Sequence, residues 1–438
     1  HWLYGGVYER ATNLKDIAGL PRTLKDLPVA HNFGHVAVSG CKFYRSGTLN
    51  ADWKGDMFVT FFNTQKVVRM EFVRDGATYR ASEREFLKIH APDAHVTDVM
   101  EDADGSLLIV DTGGWFRNGC PSSLMEKPQI KGAIYRVKKK DHPRIADSYG
   151  LAVRWEKVTP DERTALLKDE RWFVRDRALR LRGKGFDSPQ ASLTGSSAGE
   201  RLRACAAIAE TKIITPAQLN TLIAMLGEPL DPALEQGAMY AAIATGGVDL
   251  ALLHSAKKPD LLRRLMIITE QTVRDQKVIE TLLPIAIREL DSAEPELART
   301  ALAIASRHAR TLELARRNFE VWLNESTLER RRLDAIALVV AAQIEEEQAQ
   351  KLVESMLAHD SAAVRRTGWK IVARQIGSVS RPGWIPHLER SLVEAMEDVS
   401  RQKIDHSKVA VSGGRAPVLS PQSGAEADLL LLFEAISR

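Results

Sequence analysis

A chain of 438 residues, 27% charged and 44% hydrophobic, has the composition of a soluble globular protein and is too long for one compact core. Its 61 basic and 57 acidic residues are well mixed and leave a net charge of +4, which gives a nucleic-acid partner little electrostatic support. The longest apolar run, AIALVVAAQI from Ala335, is about ten residues, against the roughly 20 that a membrane-spanning helix needs.

The first residues, HWLYGGVYERATNL, read as the middle of a longer protein, so a fragment or processed product is expected. From about residue 35 to 140 the pattern is strand-like. Runs at Met57–Phe62 and Val67–Phe72 flank a turn at Asn63–Lys66, and the turn RDGAT leads to a third strand near Tyr79–Phe86. The same design returns about 50 residues later. Ser106–Thr112 matches Asp56–Phe62, and Gly132–Lys139 matches the segment from Lys66 to Phe72, with Arg136 in the place of Arg69. An all-β unit repeating at this period predicts propeller blades, of which about two are visible.

From about Thr159 the pattern is helical. Short loops carrying Asp or Pro recur before apolar-periodic stretches, near Asp169, Asp231, Asp291 and Asp360. Val174, Leu202, Leu234, Leu262, Leu297 and Val364 form an equivalent apolar series at steps near 30–35 residues, with one weak copy before the last. That predicts helical pairs of HEAT type, each stacking its apolar face on the next. In the recurring D-x-x-x-V-R element, Asp is expected to cap the following helix. The fold class is thus β + α multidomain: the C-terminal part of a β-propeller over 1–150, then a HEAT-type α-helical solenoid over 159–438.

The segments GHVAVSGCKFYRSG, WKGDMFVTFFNTQKVVR, GATYRASEREFL, HVTDVMEDADGSLLIVDTGGWF, GCPSS and KGAIYRVKKK follow one another in an order that resembles the PVC-type haem-binding CxxCH family, also described as membrane-bound dehydrogenases. The resemblance covers roughly residues 31–140 and is most distinctive from His95 to Phe116. It implies a propeller of the glucose/sorbosone dehydrogenase type, a helical array, and in the parent protein a cytochrome domain. Quinone-linked oxidation of a sugar or alcohol in the periplasm or cell envelope would follow, with PQQ and haem c as the parent's cofactors. The catalytic H-x-G-G motif of the resembling dehydrogenases and the CxxCH haem motif are both missing from these residues, so this chain alone is expected to be inactive. The alternative is a non-catalytic scaffold that docks a protein or polysaccharide on its propeller-like part or its solenoid.

Five residues are candidate pocket positions. His95 and Asp98 stand at the start of a predicted inner strand, where a propeller's channel collects sites; they suit a polar ligand or a metal, or else a structural pair. His35 lies in GHVAVSG, and Arg45 is either an anion or quinone anchor or a brace. Trp115, with Phe116, opens a long loop and would stack on a ring or anchor the loop. No metal site is assigned. In the acidic stretch Met100–Asp111, Met100 occupies the first ligand position that an EF-hand loop requires, so DADG reads as a solvated turn with Gly105 at positive φ. His31 and His35 share helical i, i+4 spacing, but Phe33 and Gly34 make that stretch a loop. Cys41, Cys120 and Cys205 form no CxxC, and whether Cys41 and Cys120 pair is not legible.

Overall fold

The structure is a computed structural model and describes residues 26–91, 93–114, 129–181, 192–272, 276–308, 310–325, 329–373 and 383–401. Among the described residues, seven strands form two antiparallel sheets, and helices follow. The first sheet is a four-stranded meander of β1 (Val38–Phe43), β2 (Met57–Phe61), β3 (Lys66–Asp75) and β4 (Thr78–Lys88). The second is a three-stranded meander of β5 (Val96–Glu101), β6 (Leu107–Asp111) and β7 (Ala133–Val137). The chain is therefore of mixed β and α class, with its strands before its α-helices.

The two meanders repeat one another residue by residue. Phe58 pairs with Arg69 in the first sheet, and Leu108 with Arg136 in the second. Each arginine reaches back to the residue before its central strand: Arg69 Nη1 donates to Asp56 Oδ2 at 2.5 Å, and Arg136 Nη1 to Ser106 Oγ at 2.5 Å. The register gives Arg136 the place in the second sheet that Arg69 has in the first, as expected. Each leading strand also carries a bulge at the same position, between Val38 and Gly40 in β1 and between Val96 and Asp98 in β5. The bulged side chains are placed alike, with Ser39 Oγ 3.3 Å from Thr60 O and Thr97 Oγ1 3.3 Å from Val110 O.

β5 packs against β1 and β2. Tyr44, Phe58, Val67, Val96, Val99, Leu107 and Ile109 form one buried cluster drawn from both sheets. The close approach requires a glycine: a Cβ on Gly40 would lie 2.9 Å from Asp98 Cα and 3.0 Å from Thr97 O. Hydroxyls stitch the crossing. Gly40 N–H donates to Thr60 Oγ1 at 2.8 Å, Thr60 Oγ1 lies 2.9 Å from Ser39 Oγ, and Ser39 Oγ donates to Val96 O at 2.7 Å. One run of donors satisfies all three groups.

Helices begin where the periodicity changes, with α1 (Pro160–Leu166) capped by Thr159 and Glu162 in a reciprocal box. α2 (Trp172–Leu181), α3 (Ala198–Thr211), α4 (Pro216–Leu226), α5 (Pro232–Ala244), α6 (Leu250–Ser255) and α7 (Pro259–Thr272) follow. Then come α8 (Gln276–Glu289), α9 (Pro295–Arg307), α10 (Thr311–Leu323), α11 (Arg330–Ala342), α12 (Glu347–Leu357), α13 (Ala362–Ala373) and α14 (Ile385–Arg401). The described residues divide into two compact units. One is Leu27–Ile213 with Asp231–Gly237, so it holds both sheets and α1–α3; the other is Ile214–Leu230 and the chain from Ala238 onward.

In the second unit, alternate helices pack on one another. α7, α9, α11 and α13 make one layer, and α8, α10, α12 and α14 the other. A single apolar cluster runs through it, including Leu265, Ile304, Phe319, Val339, Val353 and Trp369. Of the apolar series named from sequence, Val174, Leu234, Leu262, Leu297 and Val364 are buried and Leu202 is half-buried. Each sits in the first turn or so of its helix.

The recurring aspartates do less uniform work than the expected capping. Asp231 Oδ1 does accept from the amides of Ala233 and Leu234 at 3.1 Å. Asp169 and Asp291 instead pair with Arg171 and Arg332. The arginine of the motif has the consistent role. Arg175 Nη1 donates to the carbonyls of Asp169 and Glu170 at 2.6 and 2.8 Å, and Arg365 Nη1 to those of His359 and Asp360 at 2.9 and 2.7 Å. Each guanidinium satisfies the loop that precedes its own helix.

Candidate functional site

The structure brings two candidates to one end of the crossing strands. His95 immediately precedes β5, and His35 lies in the loop before β1. The ends are equivalent in the repeat: Phe62 N–H donates to Ala37 O at 2.8 Å, and Thr112 N–H to His95 O at 3.0 Å. His35 is exposed, and its carbonyl accepts from Asn63 Nδ2 at 3.5 Å. Asp98 stands just inside β5, half-buried over Gly40, with its Oδ1 accepting from the Val99 amide at 2.8 Å.

His95 is held on three sides. Its amide donates to Asp111 Oδ1 at 2.8 Å, its ring stacks on Phe62 with centroids 4.5 Å apart, and its Nδ1 lies 2.6 Å from Gly113 O. A carbonyl only accepts, so that bond puts the proton on Nδ1. In that tautomer Nε2 is the ring nitrogen left to accept, on a half-exposed residue. Such an imidazole can take a hydrogen bond from a ligand hydroxyl, or ligate a metal. Among the described residues no group of three or more His, Cys, Asp and Glu side chains is placed to hold a metal ion.

Sequence reasoning passed over Asp111, which fixes this geometry. It is only 5% exposed, and its Oδ1 also accepts from the Gly113 amide at 2.9 Å. The signal was present: an Asp closing the apolar run LLIV just before Thr-Gly-Gly is a side chain suited to bond the turn that follows it.

Arg45 lies at the other end of β1. Its guanidinium pairs with Asp176 on α2, and its amide donates to Glu101 Oε2 at 2.8 Å. It does not meet His35 or His95 and acts as a brace. Glu101 is 6% exposed and also accepts from the Ser46 amide at 2.8 Å. Burial pushes its carboxyl above the usual range, against the hydrogen bonds from Ser46 and Arg45. Trp115, Phe116 and Cys120 lie outside the described residues.

The acidic turn is not the solvated feature expected. Gly105 does take φ +83°, but Asp102 and Asp104 are tied into a network. Asp102 Oδ2 accepts from Arg136 Nη1 at 2.6 Å, its Oδ1 accepts from the Tyr149 hydroxyl, and its carbonyl accepts from Trp172 Nε1 at 3.1 Å. Asp104 Oδ1 accepts from the amide and hydroxyl of Ser106, and its carbonyl lies 3.0 Å from His142 Nε2. Burial opposes ionisation of Asp102, yet the Tyr149 and Arg136 bonds outweigh it and hold the carboxyl below its ordinary range. The turn anchors α2 to the second sheet within one compact unit.

The remaining histidine of HNFGH, His31, pairs with Glu83 at 3.3 Å and meets Phe33 edge-on, in an irregular loop rather than a helix. Cys41 is an exposed free thiol on β1, whereas Cys205 is buried and its thiol is pushed up to about 12 by that burial. An open cleft of ≈ 400 Å³ lined by residues such as Val153, Arg154, Lys157 and Glu162 contains none of the candidate residues. No helix among the described residues is long and apolar enough to cross a membrane. No protein-family model matches the chain, and neither a curated protein nor a solved structure matches it.

Proposed function

We propose that this chain is the closing part of a propeller-type, quinone-linked sugar or alcohol dehydrogenase of the cell envelope, followed by a HEAT-like solenoid, and that it does not turn over alone. The observation that carries this reading is the residue-by-residue repeat of two antiparallel meanders whose leading strands pack on one another through Gly40. Propeller blades present their leading strands to a shared channel in this way. The two-layered stacking of alternate helices supports the solenoid half of the reading.

In this reading the chain contributes a polar wall to a pocket at the β1 and β5 ends. His95 Nε2 and Asp98 receive hydroxyls of a sugar or alcohol, and Phe62 and Asp111 hold His95 in place. A tricarboxylate quinone such as PQQ needs several converging cations. His35, His95 and Asp98 do not supply them, and the nearest candidate cation in the sequence reading, Arg45, is spent on Asp176. The residues of this chain do not fit that quinone by themselves. The sequence also carries no CxxC for covalent haem.

The divided placement of Arg45 and His95 is what favours the second reading, a scaffold for a protein or polysaccharide. Two observations separate the readings. An H-x-G-G segment before this chain and a CxxCH after it, in the same reading frame, support the enzyme, and absence of both supports the scaffold. Dye reduction by the purified chain in the presence of added quinone and sugar would overturn the claim that it is inactive alone.

A further inference from the structure

Among the described residues, the repeat leaves the outer edge of the second sheet without a paired strand. β3 is paired on both sides, by β2 and β4, whereas among the described residues β7 is paired by β6 alone. The equivalent positions differ accordingly. Val67 and Val68 on β3 are 0% exposed, while their counterparts Ile134 and Tyr135 on β7 are 68% and 41% exposed. A strand edge with apolar side chains open on both faces is a template for pairing.

The flanks say what would pair. The stretch KGAIYRVKKK carries Lys131, Arg136, Lys138, Lys139 and Lys140 and no acidic residue. A second copy is a poor occupant: antiparallel self-pairing centred on Tyr135 would set Lys131 opposite Lys139, and like charges facing across a ladder destabilise it. We propose that β7 is a strand-addition site for an extended peptide segment of a partner protein, apolar at alternate positions and acidic at its ends. Backbone pairing to β7 supplies affinity, contacts to Ile134 and Tyr135 set the register, and the lysines select the sign of charge.

The test uses the whole chain and three labelled synthetic peptides: Thr-Val repeats ended by glutamates, the same repeats ended by lysines, and the glutamate peptide interrupted by proline. Binding is read by fluorescence anisotropy at physiological salt, and β7 amide exchange by mass spectrometry. The expected result is saturable binding of the glutamate peptide, at least about tenfold tighter than of either control, with slowed exchange at Ala133–Val137. Lys138→Glu/Lys139→Glu/Lys140→Glu is expected to invert the preference between glutamate and lysine peptides. Ile134→Asp, at an exposed position, is expected to weaken binding of the glutamate peptide, with an unchanged circular dichroism spectrum for both variants. Equal binding of the proline-interrupted peptide means electrostatic adhesion without strand addition and overturns the proposal. So does slow exchange in the free chain at the β7 amides that point away from β6, which would mean that the edge is already covered, and so does failure of the glutamate peptide to bind.

Discussion

Adding one methyl group at Gly40 is expected to loosen the contact between the two sheets. An alanine Cβ there would stand 2.5 Å from Asp98 Oδ1, 2.9 Å from Asp98 Cα and 3.0 Å from Thr97 O. The carboxylate can swing aside, but the other two atoms are backbone, so β1 and β5 must separate by about 0.5–1 Å to restore ordinary contact. Overpacking of this kind costs about 1–3 kcal/mol. The Ser39–Val96 bond, 2.7 Å long, would lengthen to about 3.2–3.7 Å and forfeit up to about 1 kcal/mol more. The total is about 1–4 kcal/mol, equivalent to roughly 5- to 1,000-fold in an opening equilibrium. Because the chain forms two compact units, a global unfolding curve would mix them. The suitable assay is hydrogen exchange at Val38–Phe43 and Val96–Glu101 in Gly40→Ala, with Ser39→Ala as the control that removes the bond without adding the Cβ. Ser39→Ala is expected to lose about fivefold in protection. Protection in Gly40→Ala within about threefold of the parent chain would refute the close-packed crossing.

Other outcomes follow from the same geometry. Glu101 has a raised folded pKa, so the folded chain holds the proton more tightly and this group's contribution to stability falls as pH rises from its unfolded value through its folded one. Hydrogen exchange at Val96–Glu101, corrected for the intrinsic pH dependence of exchange, should show that loss in the parent as pH rises from about 4 to 7 and a flatter profile in Glu101→Gln; identical profiles would remove Glu101 from the explanation. Asp102 has the opposite sign: its stabilisation is present above the unfolded value and is lost as pH falls through the lowered folded one, and Asp102→Asn should abolish that acid-side component. Arg175→Ala and Arg365→Ala should each cost about 1–2 kcal/mol, read as faster exchange in the first turns of α2 and α13, because two loop carbonyls lose their donor in each case. Unchanged exchange would mean that water replaces the guanidinium at no cost.

Much of the β architecture was legible because strand period and turn chemistry are local. The turn expected at Asn63–Lys66 falls at Phe62–Gln65 between β2 and β3, Gly105 takes positive φ, and aligning Ser106–Thr112 on Asp56–Phe62 matches Phe58 to Leu108, the residues that pair with Arg69 and Arg136. What was hidden depends on partners far along the chain. Nothing near Arg45 announces Asp176, and nothing in DADG announces Tyr149 and Trp172, so an anchoring turn looked like a solvated one. The helical motif misled in a similar way. Aspartate is a familiar cap, but the carbonyls of the loop needed a donor more uniformly than the helix needed an acceptor, and Arg175 and Arg365 supply it. At the candidate site, His95 was legible from its place before β5, whereas Phe62 and Asp111, which orient it, become visible only once β2 and β6 are laid beside their leading strands.

The proposed function is tested most directly by turnover of the product of the whole reading frame that contains this chain, beside its His95→Ala variant, with sugars as donors, added PQQ and a dye as acceptor. The expected result is quinone-dependent dye reduction, with KM for the sugar raised about tenfold in His95→Ala, the loss of roughly one hydrogen bond to substrate. Folded protein that reduces no dye with any sugar tested would contradict the dehydrogenase reading and leave the scaffold.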